Sequence, residues 1–564
     1  MTKEGRINFV LFLIFLAGGI IVSRLFYLQV CQSDFYKAQA RGQQNLLAET
    51  EGDRGNIYFK GGEILAITKN TPYLFVSPEE IKEKEKTAET LAAVINQDKD
   101  SLLKKLNVSG SLYEEVLKEM DDELVQKIKN LNLTGVYIGH KKKRYYPNDE
   151  MASQIVGFVN EEGVGQYGLE EYYQNELSGK KKTQKKTFNP WNFSSSSSED
   201  DSLNGASLDL TIDYNIQFMA EKILKQGIEN YKAQGGEIIV MDPQNGGIIA
   251  MAQVPSFNPN NYKNENYDVF QNSAIQKLFE PGSIFKPITM SAALNEGLVT
   301  PDTIFEDYKG YVQYGKDKVS NFSDKAWGAT TMTQILEKSI NTGIIYVENL
   351  LGHAKFLEYF DKYGFSQKTG IDLAGEIVSE NKEIKKAFQQ NIEVNFANAS
   401  FGQGINITPL QITTAFCAIA NGGTMVKPHI VEKIAGQKQE TEKLERVITP
   451  DTSLKLKKMM INVVENGFGH LGKVDGYYIA GKTGTSQIPW PSLDINKWGY
   501  SDQTWQSFIG FAPALDPKFV ALVKLNNPQV ETSEYSAAPL FHNLAEYIID
   551  YWQIPPDYEL DKTE

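Results

Sequence analysis

The pattern that most constrains this chain is a set of strand-rich stretches held far apart in the sequence. "GGEIIVMDPQNGGIIAMAQVP" (235–255) reads as two apolar strands around an Asn-Gly-Gly turn, a strong hairpin signal. Strand texture returns near 476–486 and again at "SFIGFAPA" and "FVALVKL", after helical stretches fill much of 284–421. An amphipathic helix, "PLFHNLAEYIIDYW", follows the last strand. Strands at both ends with helices between predict one α+β unit over about residues 205–555, its sheet assembled from distant segments. At 564 residues the chain exceeds what one core supports, so further modules are expected.

Composition removes several function classes. A net charge of −14 argues against a nucleic-acid partner, because phosphate binding needs a basic face. Two cysteines, Cys31 and Cys417, exclude a disulfide scaffold, and Cys417 inside "TTAFCAIANGG" reads as a small apolar residue on a buried helix. "LQVC" before Cys31 lacks the small residues of a lipoprotein signal. The histidines at 140, 353, 429, 470 and 542 are scattered without metal-ligand spacing, so neither a metal nor a cofactor is expected.

The N-terminus carries "NFVLFLIFLAGGIIVSRLFYLQV" (8–30) behind a short head with Lys3 and Arg6. At 1.5 Å rise its length of roughly 34 Å crosses a bilayer. No A-x-A cleavage site follows, so the stretch is read as an uncleaved anchor rather than a removed signal, with Arg24 snorkelling to the far interface. Positive charge on the head (1–7) keeps it cytoplasmic and sends the bulk of the chain outside. Residues 54–80 read as short strands around a Gly61-Gly62 turn, 78–130 as helical, and "GVYIGHKKKRYYP" as strand again. "GKKKTQKKTFNPWNFSSSSSEDDSLNG" is basic, then Ser-rich, then acidic, and reads as a low-complexity loop over 179–204.

"FEPGSIFKPITMSAAL" (279–294) holds the first candidate for chemistry. Pro281-Gly282 sets a turn, and Pro287 is tolerable only in a first helical turn, so Ser283 is expected at a helix start with Lys286 on its face one turn on. A desolvated lysine, or one crowded by a second cation, loses its proton near neutrality and serves as a base. Alone the motif is weak: Ser101/Lys104, Ser178/Lys181 and Ser379/Lys382 share the spacing, and a serine read from this motif alone is more often an ordinary helix N-cap than a nucleophile. Ser339-Ile340-Asn341 and, after the apolar "YYIAG", Lys482-Thr483-Gly484 follow in order. Other such triplets exist at Ser256-Phe257-Asn258, Ser379-Glu380-Asn381 and Lys368-Thr369-Gly370, but order, spacing and flanks select one set.

Ser-x-x-Lys, Ser-x-Asn and Lys-Thr-Gly in that order resemble the penicillin-binding and serine β-lactamase superfamily. "RGNIY", "RYYP", "GQYGLEEYY", "LTIDYNIQ", "MDPQNGGIIAM", "EPGSIFKP", "FGQGINITPLQITTAFCAIANGG", "AGKTGTSQ" and "FIGFAPA" narrow the resemblance to class B penicillin-binding proteins over about residues 20–545. The resemblance implies an anchor helix (8–30), an elongated α+β pedestal of the dimerisation type (31–178), a transpeptidase domain (205–555) with an antiparallel sheet flanked by helices as in serine β-lactamases, and a tail (556–564). It implies a peptidoglycan D,D-transpeptidase of cell division or elongation. Ser283 attacks the carbonyl between the last two D-alanines of a stem peptide and Lys286 takes its proton. Ser339 and Lys482 pass a proton to the departing D-alanine, Asn341 holds Lys286 and the substrate amide, and Lys482, Thr483 and Thr485 face the terminal carboxylate, with Gly484 also counted among the substrate-binding residues. The implied partners are stem peptides as donor and amine acceptor, β-lactams, a SEDS-type glycosyltransferase and the cytoplasmic membrane, with the protein single-pass.

Phe59-Lys60 stands where the family has Asp-Arg, and Thr485-Ser486 replaces the commoner Thr-Ala, which suggests a more polar pocket edge. A β-lactamase would need a base for its deacylating water, and the Glu-x-x-Leu-Asn of class A enzymes is absent. A carboxypeptidase, an inactive receptor domain, or a scaffold that binds wall-synthesis partners through its anchor and stalk are the remaining alternatives.

Overall fold

A computed structural model describes residues 15–16, 18–24, 46–186 and 201–558. The chain divides into two compact units, residues 1–54 with 178–205 and residues 55–177 with 206–564.

In the first unit, Leu46–Glu51 and Lys181–Lys186 pair as antiparallel strands, Glu51 standing opposite Lys181. The basic start of the segment expected to be a structureless loop is therefore strand. Its ladder partner lies far away in sequence, and backbone pairing needs no apolar periodicity to form. Residues 187–200 lie outside the described residues, as do the head, most of the expected 8–30 anchor and the last residues of the tail. Among the described residues no helix is long and apolar enough to cross a membrane.

The second unit starts with strands β1 (Ile57–Tyr58) and β2 (Ile64–Val76), joined by a turn in which Gly62 takes φ +92°. Such a value suits glycine, which has no Cβ to clash. Phe59 in this turn is buried, its ring edge-on to Tyr214 at 5.3 Å, so an apolar contact stands at the position where the family's Asp-Arg pair is replaced. Helices α1 (Lys84–Ile95), α2 (Lys99–Leu106) and α3 (Asp122–Leu131) bury Leu91, Leu102, Leu106, Val125 and Ile128 against Leu74 and Val76 of β2. Between α2 and α3, Glu114–Leu117 is strand β3, not helix as expected for 78–130. Leu117 stands opposite Leu74 and only Val116 of the strand is buried, so pairing with β2 outweighs the helix preference of Glu and Leu. Strand β4 (Val136–Tyr145) flanks β2 along its length. Strand β5 (Leu208–Leu210) joins β1 in parallel and completes, with segments 431–434 and 437–438, a seven-stranded sheet.

Asp213 then caps helix α4 (Tyr214–Tyr231), its carboxylate accepting from the Asn215 and Ile216 amides. The expected hairpin follows as β6 (Gly235–Met241) and β7 (Ile248–Val254). The helical stretch that follows includes helix α5 (Lys286–Asn295), hairpin β8 (Tyr311–Tyr314) with β9 (Asp317–Ser320), and helices α6 (Asn341–Leu351), α7 (Glu393–Ser400), α8 (Pro409–Ala420) and α9 (Pro450–Asn466). Strands β10 (Ala480–Pro489), β11 (Tyr500–Ala512) and β12 (Phe519–Asn526) return, and α10 (Ala537–Trp552) closes the fold. The central sheet runs β7-β6-β12-β11-β10, so segments far apart in the chain meet as predicted and β10 is left as an edge.

Both faces of this sheet are covered, which is why its strands read as unbroken apolar runs. Ile238 and Val240 pack with α4 and α10, whereas Ile239 and Met241 pack with α5, α8 and α9. Every residue of α8 is buried, including Cys417, and Thr408 and Gln411 form a reciprocal capping box at its start. One charge pair enters this interior. Glu237 of β6 and Lys524 of β12 are register partners with Nζ 3.0 Å from the carboxylate, and Lys524 lies over the Phe279 ring at 5.1 Å. Removing one member leaves an uncompensated buried charge. Lys524→Met is expected to destabilise the protein by about 3–5 kcal/mol in chemical denaturation, with most of that recovered when Glu237→Met is added.

Candidate active site

Three chain segments meet at the sheet's β10 edge. The first is the turn before α5. Gly282 takes φ +59°, Ser283 lies in a 3-10 turn (Gly282–Phe285), and the α-helix proper starts at Lys286 with Pro287 in its first turn. The second is the link before α6. Ser339 has φ +51°, a left-handed conformation costing a non-glycine residue roughly 1–2 kcal/mol. That turn directs both its carbonyl and its hydroxyl at one amine. The third is β10 itself, where Gly484 leaves no room for a side chain: a Cβ there would meet Ser507 Oγ at 2.8 Å, Ile284 Cγ2 at 2.9 Å and Pro281 O at 3.0 Å. Gly484 thus lets the nucleophile turn press against the strand.

Lys286 is fully buried, and its Nζ reaches Ser339 O at 2.5 Å, Asn341 Oδ1 at 2.7 Å and Ser339 Oγ at 3.1 Å. Lys482 Nζ reaches the same Ser339 Oγ at 3.0 Å and Thr483 O at 3.1 Å. One hydroxyl therefore joins two buried amines. Burial drives the Lys286 amine well below its ordinary value, and the nearby Lys482 charge lowers it further. Burial alone brings Lys482 down to about 7. The order follows: Lys286 loses its proton first, after which Lys482 has no neighbouring charge to repel it. A neutral Lys286 donates to the two carbonyl oxygens and accepts from the Ser339 O–H, while Ser339 Oγ accepts from Lys482. The hydrogen bonds of Lys286 run to Ser339 and Asn341, in place of the direct Ser283 contact that one-turn spacing led us to expect.

Asn341 opens α6 and is held from its other side, its Nδ2 donating to Ser320 O of β9 at 2.8 Å. Thr342 N donates to Asn321 Oδ1 at 2.9 Å, and Asn321 donates to Asp307 at 2.6 Å, so the hairpin β8-β9 is clamped to this motif. Thr483 is buried, while Thr485 is exposed and exchanges hydrogen bonds with Ser533, whose amide donates to Thr485 Oγ1 at 3.1 Å. Ser486 does not make the pocket edge more polar. It is buried, and its hydroxyl donates to Glu280 O at 2.7 Å, bracing the nucleophile turn.

The competing motifs sit elsewhere. Ser101 and Lys104 are exposed on α2, Ser256 binds Glu150, Lys382 pairs with Glu380 at the surface, and Thr369 binds Glu376 in a loop.

Glu280, three residues before Ser283, carries no motif signal as a lone acid and was missed. It is buried, accepts from Tyr500 Oη at 3.0 Å and from the Gly404 amide, and burial pushes its carboxyl up to about 7. Through Glu280, β11's Tyr500, β10's Ser486 and the Gly402–Gly404 loop all hold the turn that bears Ser283. The hint in the sequence was the glycine-rich "FGQG": a Cβ at Gly402 would meet Gly282 O at 2.3 Å.

A turn-borne serine, a buried neutral lysine and a strand-edge lysine bridged by a second serine define a serine acyltransferase site of the penicillin-recognising type. Comparisons with known proteins agree. The model of the penicillin binding protein transpeptidase domain matches residues 236–546, and that of the penicillin-binding protein dimerisation domain matches 49–210. The chain belongs to the penicillin-binding protein transpeptidase family, with the two-domain arrangement of its class B members. Stage V sporulation protein D of Bacillus subtilis (strain 168) is 31% identical over 96% of this chain and 85% of that protein. The peptidoglycan D,D-transpeptidase FtsI homolog of Mesostigma viride is 28% identical over 98% of this chain and 96% of that one. Penicillin binding protein 3 of Mycobacterium tuberculosis, solved in complex with aztreonam, superposes with a TM-score of 0.68 at 25% identity, covering 91% of this chain and 98% of its own.

The bracing role of Glu280 has a pH signature. Its folded-state proton affinity exceeds the ordinary value of 4.5, so its contribution to stability is complete below about 4.5 and is lost as pH rises through about 7. Glu280→Gln is expected to flatten the pH dependence of unfolding in that window by up to about 1 kcal/mol per pH unit, read by denaturant titration at several pH values.

Proposed function

We propose that this chain cross-links peptidoglycan as a serine D,D-transpeptidase and is a target of β-lactams. The observation that carries the reading is the Ser339 hydroxyl held by both Lys286 and Lys482 beside the Ser283 turn. Ser283 Oγ attacks the carbonyl between the two terminal D-alanines, and neutral Lys286 takes the proton. The backbone N–H groups of Ser283 and Thr485 stabilise the oxyanion, a donor of this kind contributing roughly 3 kcal/mol. Lys482, charged, supplies a proton through Ser339 to the leaving D-alanine amine, while Thr483 and Thr485 orient the terminal carboxylate. The donor peptide adds to β10 as a further strand, which the open edge of the sheet allows. An amine from a second stem peptide then displaces Ser283. The apolar 8–30 stretch supports a single-pass anchor that places the catalytic unit outside the cytoplasmic membrane. There the anchor and the strand-rich residues that follow it meet a SEDS-type glycosyltransferase.

Labelling with a fluorescent penicillin tests the nucleophile. Wild type and Ser101→Ala are expected to label and Ser283→Ala to stay dark; label retained by the Ser283 variant refutes the assignment. Lys286→Ala is expected to slow acylation by about 10²–10⁴-fold, the range for loss of a general base. Because Lys286 must be neutral and Lys482 charged, the acylation rate is expected to be bell-shaped in pH, with its falling limb near 7. A rate that keeps rising well above that limb would show that Lys482 acts without its proton.

A further inference from the structure

Lys457 of α9 is a buried cation that the catalytic chemistry leaves unused. Only 7% of its surface is exposed, and among the described residues its ammonium makes no hydrogen bond and no ion pair. The other buried lysines, Lys286, Lys482 and Lys524, all have partners. An ammonium held out of water without a partner is costly, and folds pair such groups. Lys457 lines a cavity of about 210 Å³ together with Ser453 of the same helix, Gln244 in the β6–β7 turn, Asn421 beyond α8, and Leu515 and Asp516 in the β11–β12 turn. No residue of the catalytic site lines it. Asp516 is its outer member, with a side chain 78% exposed. Lys518 donates to Asp516 Oδ2 at 2.6 Å, and among the described residues no protein group bonds to Oδ1. Lys457 and Asp516 thus share one cavity without pairing. Burial lowers the proton affinity of the Lys457 amine, and the Asp516 charge opposes that shift.

We infer that this cavity binds a free α-amino acid with a short apolar side chain, its carboxylate on the Lys457 ammonium and its own ammonium on Asp516. The arrangement of charge selects that class. A simple anion would satisfy Lys457 and be repelled by Asp516, and a simple cation would do the reverse. A zwitterion satisfies both, with its carboxylate inward and its ammonium toward solvent. The Gln244 carboxamide, which bonds to no other protein group among the described residues, supplies a further donor for the carboxylate. Leu515 offers an apolar wall to a methyl or similar group. Size sets the upper limit. The volume lies below the roughly 300–1,000 Å³ of sites that enclose drug-sized ligands, which excludes a whole stem peptide. The inference stands apart from the transpeptidase reading, because none of these residues takes part in that chemistry.

Saturation-transfer NMR on the full chain in detergent tests this, with racemic alanine as the probe and propionate as the carboxylate without an amine. Wild type is compared with Lys457→Met, Asp516→Asn and Lys455→Met, the last removing an exposed lysine that pairs with Asp451 outside the cavity. The expected result is a saturable alanine signal in wild type and Lys455→Met, and a loss of at least fivefold in Lys457→Met and in Asp516→Asn. Denaturant unfolding of the same preparations reports whether each variant is folded. Lys457→Met keeps the stem and removes an unpaired buried charge, so it is expected to unfold at the same or a higher denaturant concentration than wild type. Asp516→Asn, in an exposed turn, carries the comparison should Lys457→Met fail to fold. The absence of a saturable signal in wild type, or a signal kept by either cavity variant, overturns the inference. Propionate that binds as tightly as alanine also overturns it, because the site would then read a carboxylate alone.

Discussion

The site depends on a single hydroxyl shared by two buried amines. Two ammonium groups cannot both keep their charge out of water on either side of Ser339, and burial weakens the proton affinity of each. The conflict is relieved by asymmetry. Lys286, whose proton affinity is lowered by burial and further by the second cation, gives up its proton first, and Lys482 keeps its own into the neutral range. One environment thereby makes a base and an acid from the same side-chain type, and Ser339 between them connects the two.

Everything around that hydroxyl serves to hold it. The left-handed turn at Ser339 exposes its carbonyl and hydroxyl together, Asn341 fixes the other side of the base, and the β8-β9 hairpin holds Asn341. The nucleophile turn is pressed onto β10 through Gly484 and onto the Gly402–Gly404 loop, and Glu280 with Ser486 and Tyr500 fastens it from below. A buried carboxylate and two buried lysines destabilise the fold locally. They persist because the central sheet, covered on both faces, supplies the apolar stability that offsets them.

Much of this was legible from the residues. The 235–255 hairpin, the returning strands and the buried helix around Cys417 followed from apolar runs and turn residues, and the grouping of Lys286, Ser339, Asn341 and Lys482 from the family resemblance that the ordered motifs carry. Other features were not. Glu114–Leu117 and Lys181–Lys186 are strands because of partners elsewhere in the chain, and their own composition suits a helix and a loop. Ser486, set opposite the sheet by strand alternation, faces the nucleophile turn and not the pocket. Glu280 is ordinary as a residue type, and only its enclosure makes it a brace.

The sequence by itself determined which side chains are available for chemistry and in what order. It also determined that the catalytic sheet must be closed by segments far apart in the chain, because turn chemistry and apolar periodicity are local properties written in consecutive residues. Only the tertiary structure decided which amine is neutral and which serine stands between the lysines. Proton affinity and hydrogen-bond partnership depend on burial and on neighbours brought in from other parts of the chain.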